Sequence, residues 1–146
     1  MMGQDISIYL TEDHRHCDML LAQAEELVVD KKFDSAVKAI SEYIDAMMNH
    51  LNREEDILFP IFEERTGSTS GPTEVMRMEH EQIRALILQL TDAIKANDER
   101  KFFGLSETLM IYIQQHNSKE EQMLYMMADQ HLADISAQLV AKMKDI

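Results

Sequence analysis

Tryptophan is absent from this chain of 146 residues, cysteine occurs once, proline twice and glycine four times. A single cysteine, Cys17, forbids an internal disulfide and any paired-cysteine zinc or redox motif, in keeping with a reducing compartment. So few glycines and prolines, beside abundant Leu, Ala, Met, Glu and Gln, leave little to break a helix. Basic residues are outnumbered 14 to 27, for a formal net charge of −13. Such a surface repels phosphate backbones and anionic lipid, so no nucleic acid and no membrane is expected as a partner. There is no apolar run of about 18 residues, the length a transmembrane helix needs. The first ten residues lack the basic and apolar regions of a secretion signal, and the expected compartment is the cytoplasm. What is present is 45% apolar, enough for a single domain over residues 1–146 with a real core.

Hydrophobic spacing predicts four long helices. Residues 5–10 alternate, with Ile6, Ile8 and Leu10 apolar, and read as an extended N-terminal arm. Thr11 is a candidate N-cap with Glu12 and Asp13 in the first turn, opening a helix to about Val29 on Leu20, Leu21, Ala24, Leu27 and Val28. The second helix starts near Asp34 and carries Ala36, Ile40, Ile44, Met47, Leu51 and Leu58. Pro60 lacks the donor for a bond to Asp56, which predicts a kink, and Gly67 suits the C′ position. Pro72 opens the third helix, which runs to about Lys95. The fourth covers roughly 99–128 through Phe102, Leu105, Leu109, Tyr112, Ile113 and Met123. A short C-terminal segment (Leu132, Ile135, Leu139, Val140, Met143) either continues it or forms a fifth helix. Short links make neighbours antiparallel, so the expected fold is all-α, an up-down-up-down four-helix bundle.

The chain repeats itself. His50-Leu51-Asn52-Arg53-Glu54-Glu55-Asp56-Ile57-Leu58-Phe59 and His116-Asn117-Ser118-Lys119-Glu120-Glu121-Gln122-Met123-Leu124-Tyr125 share one pattern: His-x-x-basic-Glu-Glu-x-apolar-Leu-aromatic. Their offset, 116 − 50 = 66, also carries His14 onto His80 and Asp13 onto Glu79. Each half thus holds a lone His followed 36 residues later by His-xxx-Glu.

Residues i and i+4 of a helix lie about 40° apart around the axis and about 6 Å apart along it. His50 and Glu54 therefore point one way, as do His116 and Glu120, both at the edge of an apolar stripe. A helix-face histidine is ordinarily a surface or hydrogen-bonded core residue, and a Glu-Glu pair is ordinarily solvated. Two carboxylates brought together in an apolar interior are costly unless a cation lies between them, and bundle cores are places where carboxylates and histidines hold paired metals. Four imidazoles and two carboxylates, His14, His50, Glu54, His80, His116 and Glu120, suffice for two ions if each Glu bridges. With a shared oxo or hydroxo group each ion keeps one open position. Mixed imidazole and carboxylate ligation suits iron, then manganese, and zinc less well. Glu55 and Glu121 lie about 100° from their neighbours and read as solvated or supporting groups, His16 and His131 as outside the site, and Cys17 as a packed residue. Tyr112, one turn before His116, faces the site, either packed in the core or hydrogen-bonded to a metal-bound ligand.

These residues resemble the hemerythrin-like, or HHE cation-binding, domain from about His14 to Met127. The marks are the lone His14, His50-xxx-Glu54 followed by Leu58-Phe59-Pro60, the lone His80, and His116-xxx-Glu120. The resemblance implies a four-helix bundle with a non-haem di-iron site, His14 and His50 on one iron, His80 and His116 on the other, and Glu54 and Glu120 bridging; the N-terminal arm fits it as well. Oxygen-carrying hemerythrins have a second His one turn after the third-helix histidine, where Arg84 stands here, and an Asp five residues after the last His, where this chain has Glu120 at four. The site is closer to those of bacterial iron-centre repair proteins and iron sensors, although the cysteine-bearing domain of the repair proteins has no counterpart in these residues. Arg84 is the repeat mate of Asp18, and the two are expected to pair or to support the histidines.

Three functions follow as expectations. The first is a di-iron protein that binds or senses O₂, NO, peroxide or iron. The second is an oxidoreductase or Fe–S cluster repair protein handling NO or peroxide, and the third a metal-free helical interaction module. The ligand expected is a small diatomic molecule or peroxide; no protein partner is specified.

Overall fold

The computed structural model describes residues 5–146. It is all-helical, and four antiparallel rods form the bundle. The first rod is α1 (Ile6–Val29); the second is α2 (Phe33–Asn52), a π-helical turn (Arg53–Leu58) and α3 (Phe59–Thr66). The third is α4 (Pro72–Lys95); the fourth is α5 (Glu99–Lys119), a second π-helical turn (Glu120–Leu124) and α6 (Tyr125–His131). A 3₁₀ turn (Ala133–Ile135) leads to α7 (Ser136–Lys144), so the C-terminal segment is a separate short helix. It packs on α1 and the first π turn through buried Leu139, Val140 and Met143. Among the described residues no helix is long and apolar enough to cross a membrane.

The links end helices as their residues dictate. Gly67 adopts φ 71°, the left-handed C′ conformation, and Pro72 opens α4. Asp98 caps α5 by accepting from the Lys101 amide at 3.0 Å.

The expected extended arm is corrected. Met1–Gln4 lie outside the described residues, but Ile6–Leu10 are the first turns of α1, and Thr11 lies inside the helix rather than capping it. Asp5 at the N-cap makes no side-chain bond. The Ser7 amide instead donates to Asp129 Oδ1 of α6 at 3.2 Å, and the Ser7 hydroxyl donates to the same carboxylate. The cap comes from 122 residues away, beyond any local cue. Helical register then buries Ile6 and Leu10 and leaves Ile8 40% exposed.

Near Pro60 the helix is disturbed without stopping, as expected. The rod continues through it, and the irregularity is the π turn just before, where the Phe59 amide reaches back five residues to Glu54 O. The Tyr125 amide likewise bonds to Glu120 O, yet the counterpart of Pro60 in that repeat is Met126. Proline is therefore not what the two turns share; both fall in the Glu-Glu-x-apolar-Leu-aromatic segment. A π turn advances the face by one residue. That explains why Met123, expected in the apolar stripe, is 55% exposed while Leu124 and Tyr125 are fully buried.

Two apolar clusters fill the bundle. One includes Leu21, Ile40, Leu51, Ile87, Phe102 and Leu109. The other joins Ile6, Leu10, Phe59, Phe62, Tyr125 and Met143. The layer between them is polar.

Candidate metal centre

That polar layer holds His14 of α1, His50 of α2, Glu54 in the first π turn, His80 of α4, His116 of α5 and Glu120 in the second π turn. All six are at most 4% exposed. Their ligating atoms form two sets, each within 4.8 Å: His14, His50, Glu54 and Glu120; and Glu54, His80, His116 and Glu120. The two carboxylates belong to both sets.

All four imidazole Nδ1 atoms face outward onto a carboxylate. His50 meets Asp13 at 2.8 Å, His116 meets Glu79 at 2.8 Å, His80 meets Glu55 at 2.6 Å and His14 meets Glu121 at 2.8 Å. A carboxylate on Nδ1 holds the proton there and turns the Nε2 lone pair inward. Cations support three of the four: Arg53 bonds Asp13 at 2.8 Å, Arg84 bonds Glu55 at 2.9 Å and Lys119 bonds Glu79. Arg53 also donates to the Met143 carbonyl at 2.8 Å, which ties α7 to this shell. Arg84 therefore supports His80 through Glu55 and does not pair with Asp18, which lies near Glu121 together with Arg15. Glu55 and Glu121, read from helical angle as solvated or supporting, are supporting groups.

Inside the ring the donors crowd together. His14 Nε2 lies 3.0 Å from Glu120 Oε1, His80 Nε2 lies 3.1 Å from Glu54 Oε1 and 3.5 Å from Glu120 Oε2, and His116 Nε2 lies 3.2 Å from Glu120 Oε2. Most of these contacts lack hydrogen-bond alignment: His50 Nε2, Glu54 Oε1, His80 Nε2, His116 Nε2 and Glu120 Oε2 are buried without a partner. Buried polar atoms are nearly always satisfied. Five orphans converging on one interior space fit a cation shared between them.

Without a metal, protons supply the positive charge. Burial opposes charge on His14, but Glu120 and Glu121 outweigh it and push the imidazole up to about 10. His80, also against burial, is pushed up to about 11 by Glu120, Glu54 and Glu55. Burial would raise the Glu120 carboxyl, yet His116, His14 and His80 hold it well below the usual range. Burial likewise disfavours the Glu55 carboxylate, but His80 and Arg84 bring it down to about 2.

The residue that sequence reasoning missed is Tyr125. Its hydroxyl donates to Glu54 Oε2 at 2.6 Å and lies 2.9 Å from Glu120 Oε1 and 3.1 Å from His14 Nε2. Five residues past Glu120, it would point about 140° away in an α-helix; the π turn brings it onto the site. Its repeat mate is Phe59. Tyr125 stacks on His14 and Phe59 on His80, each at 5.6 Å between ring centroids. Tyr112 is half-buried and makes no hydrogen bond to the six residues. His16 and His131 are exposed. Cys17 is 2% exposed, and burial pushes its thiol up to about 12, so it is a packed residue.

The family model for the hemerythrin HHE cation-binding domain matches residues 5–128. The chain belongs to that family. Comparison with curated proteins and with solved structures returns no match. Membership gives the polar layer its meaning in this hemerythrin-like protein, since cation binding is the property that defines the domain, and the two overlapping His/Glu groups are where a cation fits.

Proposed function

We propose that this protein holds two iron ions in the polar layer, one on His14 and His50 and the other on His80 and His116, with Glu54 and Glu120 bridging them. We further propose that the centre binds or senses a small ligand, O₂, NO or peroxide, or reports iron itself. The observation that carries this reading is the set of five inward-facing orphaned atoms, drawn from five of the six residues. Mixed imidazole and carboxylate donors favour iron over softer-ligand metals. Bound iron supplies a redox-active Lewis acid with exchangeable coordination positions. The protein's part is to fix the four imidazole tautomers through Asp13, Glu55, Glu79 and Glu121, to exclude bulk water with the apolar clusters above and below, and to keep the Glu120 carboxylate ionised where burial alone would protonate it.

The test is anaerobic loading with ferrous iron and metal counting, followed by spectra on adding O₂ and NO. The expected result is two irons per chain and a spectrum that changes stoichiometrically with the ligand. A chain that takes up no iron, manganese or zinc overturns the reading. Sustained turnover with an electron donor, lost in Glu54→Ala, would make the centre an oxidoreductase rather than a binding site.

A further inference from the structure

We propose that Tyr125 is a seventh protein ligand of the centre, binding through Oη the metal position of His14 and His50; this rests on the dinuclear reading above. First-row ions hold nitrogen and oxygen donors at about 2.0–2.2 Å, which puts neighbouring donors about 3 Å apart. Tyr125 Oη lies at 2.6, 2.9 and 3.1 Å from Glu54 Oε2, Glu120 Oε1 and His14 Nε2. These three atoms belong to three of the four residues in that metal group. One oxygen at donor spacing from three donors stands where a further ligand of the same ion would stand.

Counting protons leads to the same place. With Nδ1–H donated to Glu121, a metal-ready His14 offers only a lone pair at Nε2. Tyr125 Oη then faces three acceptors with a single hydrogen. A cation beside it removes that conflict: the O–H bond breaks as the Oη–metal bond forms, and the proton leaves to solvent with those displaced from the imidazoles. A bound cation reverses the local preference that burial imposes on a neighbouring acid.

The ligand is present on one side alone. Phe59 occupies the equivalent place against His80 and has no oxygen. The two metal positions are therefore inequivalent, and the exchangeable position falls to the metal of His80 and His116.

The test is resonance Raman and visible absorption of the ferric protein, with iron counted in every sample. Wild type is expected to show phenolate-to-iron charge transfer and tyrosinate vibrations at one tyrosine per two irons. Tyr112→Phe is expected to leave them unchanged, and Tyr125→Phe to abolish them while retaining iron. Two irons per chain without tyrosinate vibrations in the wild-type protein overturn the proposal and leave the dinuclear reading standing. Persistence of the band in Tyr125→Phe overturns it equally. A wild-type protein that takes up no iron overturns the dinuclear reading and this ligand with it.

Discussion

Asp13 lies next to His14 in the chain but accepts a hydrogen bond from His50, whose Nδ1 is 2.8 Å away on the neighbouring helix. Glu79, next to His80, serves His116 in the same way. Each helix thus supplies an inner side chain of the polar layer and, one residue away, the carboxylate that orients a histidine on another helix.

Asp13→Asn keeps an acceptor for the His50 proton but removes the charge. Loss of such a group typically costs 10–100-fold in metal affinity. Chelator competition should find that loss in Asp13→Asn and no change in Asp18→Asn, whose carboxylate makes no hydrogen bond to a histidine. Equal affinities for Asp13→Asn and wild type would show that the outer carboxylates do not tune the site.

Metal should stabilise the fold, because it replaces protons among orphaned buried donors. Free metal at a hundred times its Kd contributes about 2.7 kcal/mol, which for a chain of this size raises Tm by about 5–10 °C. Differential scanning calorimetry of iron-loaded and chelator-treated protein measures the shift. Glu54→Ala and Glu120→Ala should each remove it, since each carboxylate belongs to both donor sets.

The metal-free protein should weaken as pH rises. The folded-state values of His14 and His80, about 10 and about 11, lie above the unfolded value of 6.5. Their contribution is complete below pH about 6.5 and is lost as pH climbs through the folded values. Glu55 acts at the other end: its value of about 2 lies below the unfolded value of 4.5, so its contribution fades as pH falls through that window. Thermal melts of chelator-treated protein from pH 5 to 10 should show Tm falling above pH about 6.5, and iron-loaded protein should not follow it down. A flat metal-free profile would show that the histidines are neutral.

The first turns of α1 carry packing weight. Leu10 is fully buried in the cluster that also holds Phe59 and Tyr125, so Leu10→Ala should cost about 2–5 kcal/mol. Ile8→Ala, at a 40% exposed position, should cost far less. Urea denaturation of both variants checks the pair; similar small losses would mean that residues 6–10 lie on the surface as an arm.

The rods and the six inner residues were legible because both depend on local spacing: His-xxx-Glu twice on helical faces, and lone histidines an equal distance upstream. The outer carboxylates were visible as residues but not as partners, because which helix Asp13 or Glu121 faces is set by register between rods. Tyr125 was hidden by the π turn, which departs from the angle that any α-helical projection assumes. The start of α1 was hidden because its cap, Asp129, comes from another rod.

The two π turns occupy equivalent places in the repeat, and so do the histidines and glutamates around them. Each helical hairpin contributes two histidines and one glutamate. Half of this chain, paired with an identical copy in the same arrangement, would present all six inner side chains. It would also present two matching aromatics where the present chain has one phenylalanine and one tyrosine. The chain is in this sense a fused dimer, and covalent linkage is what lets its halves diverge at residues 59 and 125.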